Sequence, residues 1–325
     1  MSMKRTLTAF AAVLAVSGGL AASGGLSVAS AAEEAHDAGG AEHHDKTHVQ
    51  RQSWSFGGIL GSYDQGQMRR GFQIYNEVCS ACHGMNLLSY RNLMEEGGPS
   101  FTKAEVEALI AEKEVPAEPD DEGLTHGDDG SRLMRKALLT DPFLSPYEND
   151  KAAMSANGGA LPPDLSVMAK ARGIPHPVDN TPPSNMFMAP INGVLEYGSW
   201  IVGVLKDIAT QYQEGGADYI YALMTGYADE APAGIDVGDK SFNYVFPGNA
   251  ISMAAPLSDE MVEYADGTKP TLDQHARDIS AFLMWASEPH LNARKNLGLK
   301  VLIYLIILSG LMYAVKRTIW AGVKH

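Results

Sequence analysis

The chain has 325 residues, enough for about two domains at roughly 150 residues each. Hydrophobic residues make up 45% and charged residues 20%, near the globular average, so wholesale disorder is excluded, and two cysteines exclude a disulfide framework. A formal charge of −14 argues against nucleic acid, whose phosphates need a basic footprint. The window from Glu33 to Glu288 holds all 39 acidic residues but only 17 of the 25 basic ones, a net of −22, so this part should attract a cationic partner.

The N-terminus reads as an export signal. Lys4 and Arg5 precede an apolar stretch from Leu7 to Leu20, and Ala29-Ser30-Ala31 fits an A-x-A cleavage site. Residues 1–31 are therefore predicted to be a cleaved signal peptide, the alternative being an uncleaved anchor. Residues 32–50, with His36, His43, His44 and His48 among acidic and small residues, read as a solvated, disordered leader, although such a tract can chelate a metal.

In the run MRRGFQIYNEVCSACHG, Phe72, Tyr75, Val78 or Cys79, and Cys82 recur at three- and four-residue intervals, which predicts a helix with one apolar stripe. It leads into Cys79-Ser80-Ala81-Cys82-His83. C-x-x-C-H is the attachment motif for a c-type haem: two thiols add to the porphyrin vinyl groups, and the next residue supplies an axial nitrogen. A redox dithiol or half a zinc site has the same spacing. Export favours covalent haem, and with only two cysteines a four-thiolate site within this chain is excluded.

The block from Glu105 to Asp129 is strongly acidic. It reads either as a solvated loop or as a docking field for a basic protein. The sixth ligand of an iron must come from elsewhere. Met253 lies in F-P-G-N-A-I-S-M-A-A-P-L, a stretch punctuated by Pro247, Gly248 and Pro256 that suits a rigid loop. His126, His176, His275, His290 and other methionines remain candidates on these grounds. A second amphipathic helix is predicted from Leu272 to Ser287, with Thr271 as N-cap and Pro289 beyond its end.

Val301 to Val315 carries no charge, Leu297 to Leu299 extends the run, and Lys316, Arg317 and Lys324 follow. About 19 apolar residues are just enough to cross a bilayer, and the basic tail predicts a cytoplasmic C-terminus with the body outside. A buried core helix is the competing reading.

Several separated strings carry a family resemblance: RRGFQIYNEVCSACH, SYRNL with Tyr90 and Arg91, NGGALPPDLS from Asn157 to Ser166, DYIYALMTGY from Asp218 to Tyr227, FPGNAISMAAPL, and WASEP before the apolar run. Together they resemble the cytochrome c1 family, the haem subunit of the cytochrome bc1 complex, over most of the chain from about Trp54 to Trp320. The resemblance implies a mostly α fold: a cytochrome c-like haem domain with long loops over 51–290, and one C-terminal transmembrane helix within 291–325. It implies one covalent haem c on Cys79 and Cys82, with His83 and Met253 as axial ligands. It implies Arg172 near a haem propionate, and Leu161, Pro162 and Pro163 as apolar lining. The implied partners are cytochrome b and the Rieske iron–sulfur subunit in a dimeric complex, a soluble or anchored cytochrome c as acceptor, and the inner membrane with the haem domain in the periplasm. The implied role is electron relay within a quinol–cytochrome c oxidoreductase. The alternative is an anchored cytochrome c of another oxidase or dehydrogenase. Residues 173–217 form an insertion that short family members lack. An extra disulfide of some bacterial members has no cysteines to form it here.

Overall fold

The computed structural model describes residues 49–119, 122–174, 202, 205 and 215–322. The predicted signal peptide, most of the leader, His176 and most of the insertion lie outside the described residues.

Helix α1 (Gln65–Glu77) starts where Asp64 accepts a hydrogen bond from Gln67 N–H at 2.7 Å. The predicted C-terminal helix is α6 (Leu272–Ser287), with its N-terminus on the expected cap: the Thr271 hydroxyl accepts from Gln274 N–H at 3.2 Å. These two helices cross at Gly71. A Cβ there would lie 2.2 Å from the Asp278 carbonyl oxygen and 2.5 Å from the Phe282 Cβ, so only glycine lets the backbones approach this closely. Beside the crossing, Arg70 Nε donates to Asp278 Oδ2 at 2.8 Å and Arg70 Nη1 to Asp266 at 2.8 Å. Gln274 donates to the other Asp278 oxygen at 2.9 Å. Asp278 is fully buried, and these donors satisfy a carboxylate that would otherwise be costly to bury.

The core grows outward from this crossing. Trp285, Tyr75, Phe56, Phe282 and Met68 are its largest fully enclosed side chains. Phe72 meets Phe101, Phe143 and Phe282 edge-on at ring separations of 5.4–6.2 Å. Among the described residues, the remaining helices before the C-terminus are short: α2 (Lys103–Ile110), α3 (Asp150–Ala156), α4 (Met168–Ala171) and α5 (Gly216–Thr225). Strands are few and short. β1 (Met85–Ser89) pairs with β4 (Pro142–Phe143), and β2 (Glu114–Pro116) with β3 (Met134–Lys136). β5 (Tyr227–Ala228), β6 (Ser241–Asn243) and β7 (Ala250–Ile251) form a small antiparallel sheet. The fold is mostly helical, as predicted; none of these strands was, because two to five residues are too few to display a period of two.

Two expectations are corrected. The stripe of Phe72, Tyr75 and Cys82 does not lie on one helix: α1 ends at Glu77, and Cys79–Ala81 form a separate tight 3₁₀ turn. The acidic segment from Glu105 is not a single loop, since α2 and β2 run through it. Glu105 caps α2 through Thr102 N–H at 2.6 Å and pairs with Arg69 at 3.0 Å. Glu107 pairs with Lys103, and Glu114 with Lys136 across the β2–β3 ladder.

Helix α7 (Leu291–Trp320) has 30 residues, about 45 Å at roughly 1.5 Å per residue, against a hydrocarbon core of about 30 Å. Its best 18-residue window has a mean hydropathy of 2.0, and none of that window is buried. It is the one helix among the described residues long and apolar enough to cross a membrane. A core-helix reading fails because its aliphatic side chains face outward. The helix begins before the apolar run, since Asn292 and Lys295 bond the domain: Tyr63 N–H donates to Asn292 Oδ1 at 3.1 Å, and Lys295 Nζ to the Phe56 carbonyl at 2.5 Å.

Candidate cofactor site

The five motif residues are folded into one turn. His83 N–H and Cys82 N–H both donate to the Cys79 carbonyl, at 2.9 and 3.1 Å, which brings both sulfurs and the imidazole onto a single loop of chain. Ser80 hydroxyl ties the turn back to the Asn76 carbonyl at 2.8 Å, and Tyr75 hydroxyl donates to the His83 carbonyl at 3.1 Å. Burial, with the neighbouring Cys82, pushes the Cys79 thiol up to about 12, so in the folded chain it is protonated at neutral pH.

His83 is held from the other side by the ALPPDLS segment. Its Nδ1 lies 2.8 Å from the Pro163 carbonyl oxygen. A carbonyl only accepts, so Nδ1 carries the proton and Nε2 keeps its lone pair. Burial lowers the imidazole pKa, outweighing the Pro163 carbonyl and the charge of Asp164, so the ring is a neutral nitrogen donor. Asp164 fixes the segment itself: its carboxylate accepts from Asn86 N–H at 2.7 Å and from Ser166 N–H at 2.8 Å. Leu165 N–H adds a bond to the Gly84 carbonyl at 2.9 Å.

Leu161, Pro162 and Pro163 line a cavity of about 790 Å³ together with Ser80, Gly84 and Tyr90. Cys79, Cys82, His83, Met253 and Arg172 are not among its lining residues. The segment therefore has two edges, one carrying the carbonyl on His83 and one facing this cavity. Leu161 is 43% exposed.

Met253 is half-buried and lies two residues beyond the end of β7. Its carbonyl accepts from the Tyr227 hydroxyl at 3.1 Å. Burial raises the Tyr227 pKa above its ordinary value, with Tyr219 adding to the rise. Tyr219 in turn feels the charge of Arg172, the exposed residue that ends α4. Arg172, Tyr219, Tyr227 and Met253 thus belong to one neighbourhood, reached from α4, α5, β5 and β7.

The other candidate ligands are placed elsewhere. His275 is fully buried on α6, and both ring nitrogens are occupied, Nδ1 with the Ser258 carbonyl and Nε2 with the Val262 carbonyl, each at 3.1 Å. His126 sits exposed in the acidic loop against Thr125, and His290 is exposed at the start of α7. Among the described residues, no three His, Cys, Asp or Glu side chains converge to hold a metal ion.

Residue reading alone missed Tyr75, Tyr227 and Asp164. Tyr75 and Tyr227 occur in the quoted strings, but nothing local indicates that a hydroxyl reaches residue 83 or residue 253.

The helices, the turn and the long outward-facing α7 define a cytochrome c-like domain with one candidate membrane span. Residues 54–323 match the family model described as the Cytochrome C1 family. The "Cytochrome c1" of Rhodospirillum rubrum is 39% identical over 339 residues, covering 99% of this chain and 98% of that protein. The "Cytochrome b-c1 complex catalytic subunit, mitochondrial" of Candida albicans is 39% identical over 279 residues, covering 86% of this chain and 79% of that one. The "Cytochrome b/c1" of Bradyrhizobium diazoefficiens is 40% identical over 269 residues; the alignment covers 82% of this chain and only 35% of that protein. The chain belongs to the cytochrome c1 family, and membership implies a haem cofactor.

Proposed function

We propose that the chain is the haem-bearing subunit of a cytochrome bc1 complex, relaying single electrons from a Rieske iron–sulfur protein to a soluble or anchored cytochrome c. The observation that carries the reading is the His83 imidazole, kept neutral and turned by the Pro163 carbonyl so that Nε2 is the free donor, within one turn of both thiols. In this reading Cys79 and Cys82 would hold one haem through thioethers, and His83 and Met253 would ligate its iron. Arg172 neutralises a propionate, and Leu161, Pro162 and Pro163 keep water from the ring edge. When bound, haem supplies a one-electron couple. The chain's own residues orient the two ligands, shield the site and make or break no substrate bond.

Replacing one of two imidazoles by a soft thioether favours the ferrous state. Tyr227 holds the backbone of the thioether residue, and Tyr75 holds that of the imidazole residue. The partners would be cytochrome b and the Rieske subunit in a dimeric complex. α7 would span the inner membrane once, with the domain in the periplasm and Lys316, Arg317 and Lys324 in the cytoplasm, in keeping with the positive-inside rule.

The test is a pyridine haemochrome spectrum and intact mass of the mature chain, with redox titration of wild type and Met253→Leu. One thioether-linked haem, and a lower potential in the variant, are expected. A colourless chain with two alkylatable thiols overturns the cofactor assignment. An unchanged potential overturns Met253. Co-purification with a b-type cytochrome and an iron–sulfur protein is expected; their absence would favour an anchored cytochrome serving another oxidase or dehydrogenase.

A further inference from the structure

The chain before α1 forms a tight loop. Ser62 N–H donates to the Ser55 carbonyl and Gly57 N–H to the Trp54 carbonyl, each at 3.0 Å. A Cβ on Gly61 would lie 2.0 Å from the Gly57 carbonyl oxygen, so the loop closes only with glycine there. The base is buried, with the Phe56 ring stacked on Trp54 at 5.4 Å and tilted against Tyr63 at 5.2 Å. The tip is bare: Ile59 is 46% and Leu60 70% exposed. Two adjacent branched aliphatic side chains are held outward by a closed loop whose base carries the buried Trp54, Phe56 and Tyr63.

The loop is fixed to α7 at a defined height. Lys295 Nζ donates to the carbonyls of Phe56 and Gly58 at 2.5 Å and of Gly61 at 3.2 Å. Lys295 lies in the second turn of α7, and the exposed apolar surface of that helix starts at Leu297. From Lys295 to Leu297, where that apolar surface starts, is about 3 Å along the axis at roughly 1.5 Å per residue. The polar layer on each side of the hydrocarbon core is about 5–7 Å thick. A loop gripped by Lys295 therefore hangs at the level of the lipid headgroups whenever α7 spans.

We infer that Ile59 and Leu60 form a second membrane contact, an apolar foot seated in the headgroup layer beside the anchor. The inference rests on reading α7 as the membrane span. The occupant is lipid rather than a protein partner, because a tip of two side chains is far smaller than the roughly 800 Å² per partner of a stable protein interface. A single helix leaves the domain free to swivel about its axis. A foot beside that helix fixes the tilt and rotation of the domain above the bilayer.

The test uses the full chain in nanodiscs of phosphatidylcholine and phosphatidylglycerol. Nitroxide labels are placed at Leu60→Cys, at Ile59→Cys as an independent site, at Leu305→Cys in the span and at Glu230→Cys far from it. Labelled wild type gives the background from Cys79 and Cys82. Collisions with lipid-soluble oxygen are compared with collisions with a water-soluble nickel chelate. Oxygen is expected to dominate at 59, 60 and 305, and the chelate at 230. Chelate dominance at 59 and 60 with oxygen dominance at 305 overturns the foot and leaves the span standing. Exclusion of both reagents at 59 and 60 means that protein covers the tip, and also overturns it. Chelate dominance at 305 refutes the span and the inference with it.

Discussion

The two sides of the candidate site are built in opposite ways. On the His83 side, five consecutive residues are wound into one turn at the end of α1, and α1 is locked onto α6 through Gly71 and the Arg70–Asp278 pair. On the Met253 side, a methionine follows a two-residue strand, in a sheet whose other strands have two and three residues, and a single tyrosine hydroxyl holds its backbone. The first side is part of the core, and its geometry comes with the fold. The second is a loop placed by a few long-range bonds, so its geometry is separable from the fold. Damage to the first should appear as lost stability, and damage to the second as altered ligation in a domain that stays folded.

The largest expected effect sharpens the first half of this contrast. Arg70→Met leaves the fully buried Asp278 without its charged partner, and orphaning one member of a buried pair costs about 3–5 kcal/mol. Thermal or urea unfolding of the full chain should show that loss, while any folded fraction keeps the wild-type haem spectrum. A change in axial ligation with unaltered stability would break the contrast.

A smaller effect is expected from Tyr227→Phe. The lost hydrogen bond is worth about 1 kcal/mol, roughly a fivefold shift toward an open Met253 loop. The readouts are weakening of the thioether-to-iron absorption band in the ferric protein and faster carbon monoxide binding in the ferrous protein. The unfolding midpoint should move little. Loss of global stability without a spectral change would make Tyr227 an ordinary core residue.

The smallest effect is an acid limb. Thr268 N–H and Arg70 hold the Asp266 carboxyl down to about 2, from an ordinary value near 3.8. A depressed carboxylate contributes stability fully above its unfolded value and loses it as pH falls through the folded one. Arg135, with the Leu138 N–H, holds the Asp141 carboxyl below its usual range in the same sense. The contribution of these two carboxylates should be flat above about pH 5 and fall between about pH 4 and 2. Asp266→Asn should flatten that limb; an unchanged limb would show that Asp266 does not contribute to it.

Legibility in the sequence follows the same division. Cys79, Cys82 and His83 are readable because their chemistry is contained in five residues. Thr271 and Ser287 bound α6 as read, because a cap and a 3.6-residue period are local signals. Met253 was one candidate among many until the strings around it were read as a family pattern. The choice against His275 needed the fold, since only the folded chain shows both its nitrogens facing carbonyls. Tyr227 and Tyr75 carry no local mark, because the geometry that gives each a role is made by chain distant in sequence or by a turn. The short strands are equally silent, being ordered by the residues between them.

The Arg70–Asp278 pairing also dictates the order in which the molecule is completed. Its two members are 208 residues apart, so the contact has one of the longest closures in the domain and forms late. As the chain is synthesised, α1 can meet Phe101 and Phe143 early, but its α6 partner only after some 200 further residues. The two thiols just beyond α1 therefore spend most of the chain's emergence on a segment that α6 does not yet cover.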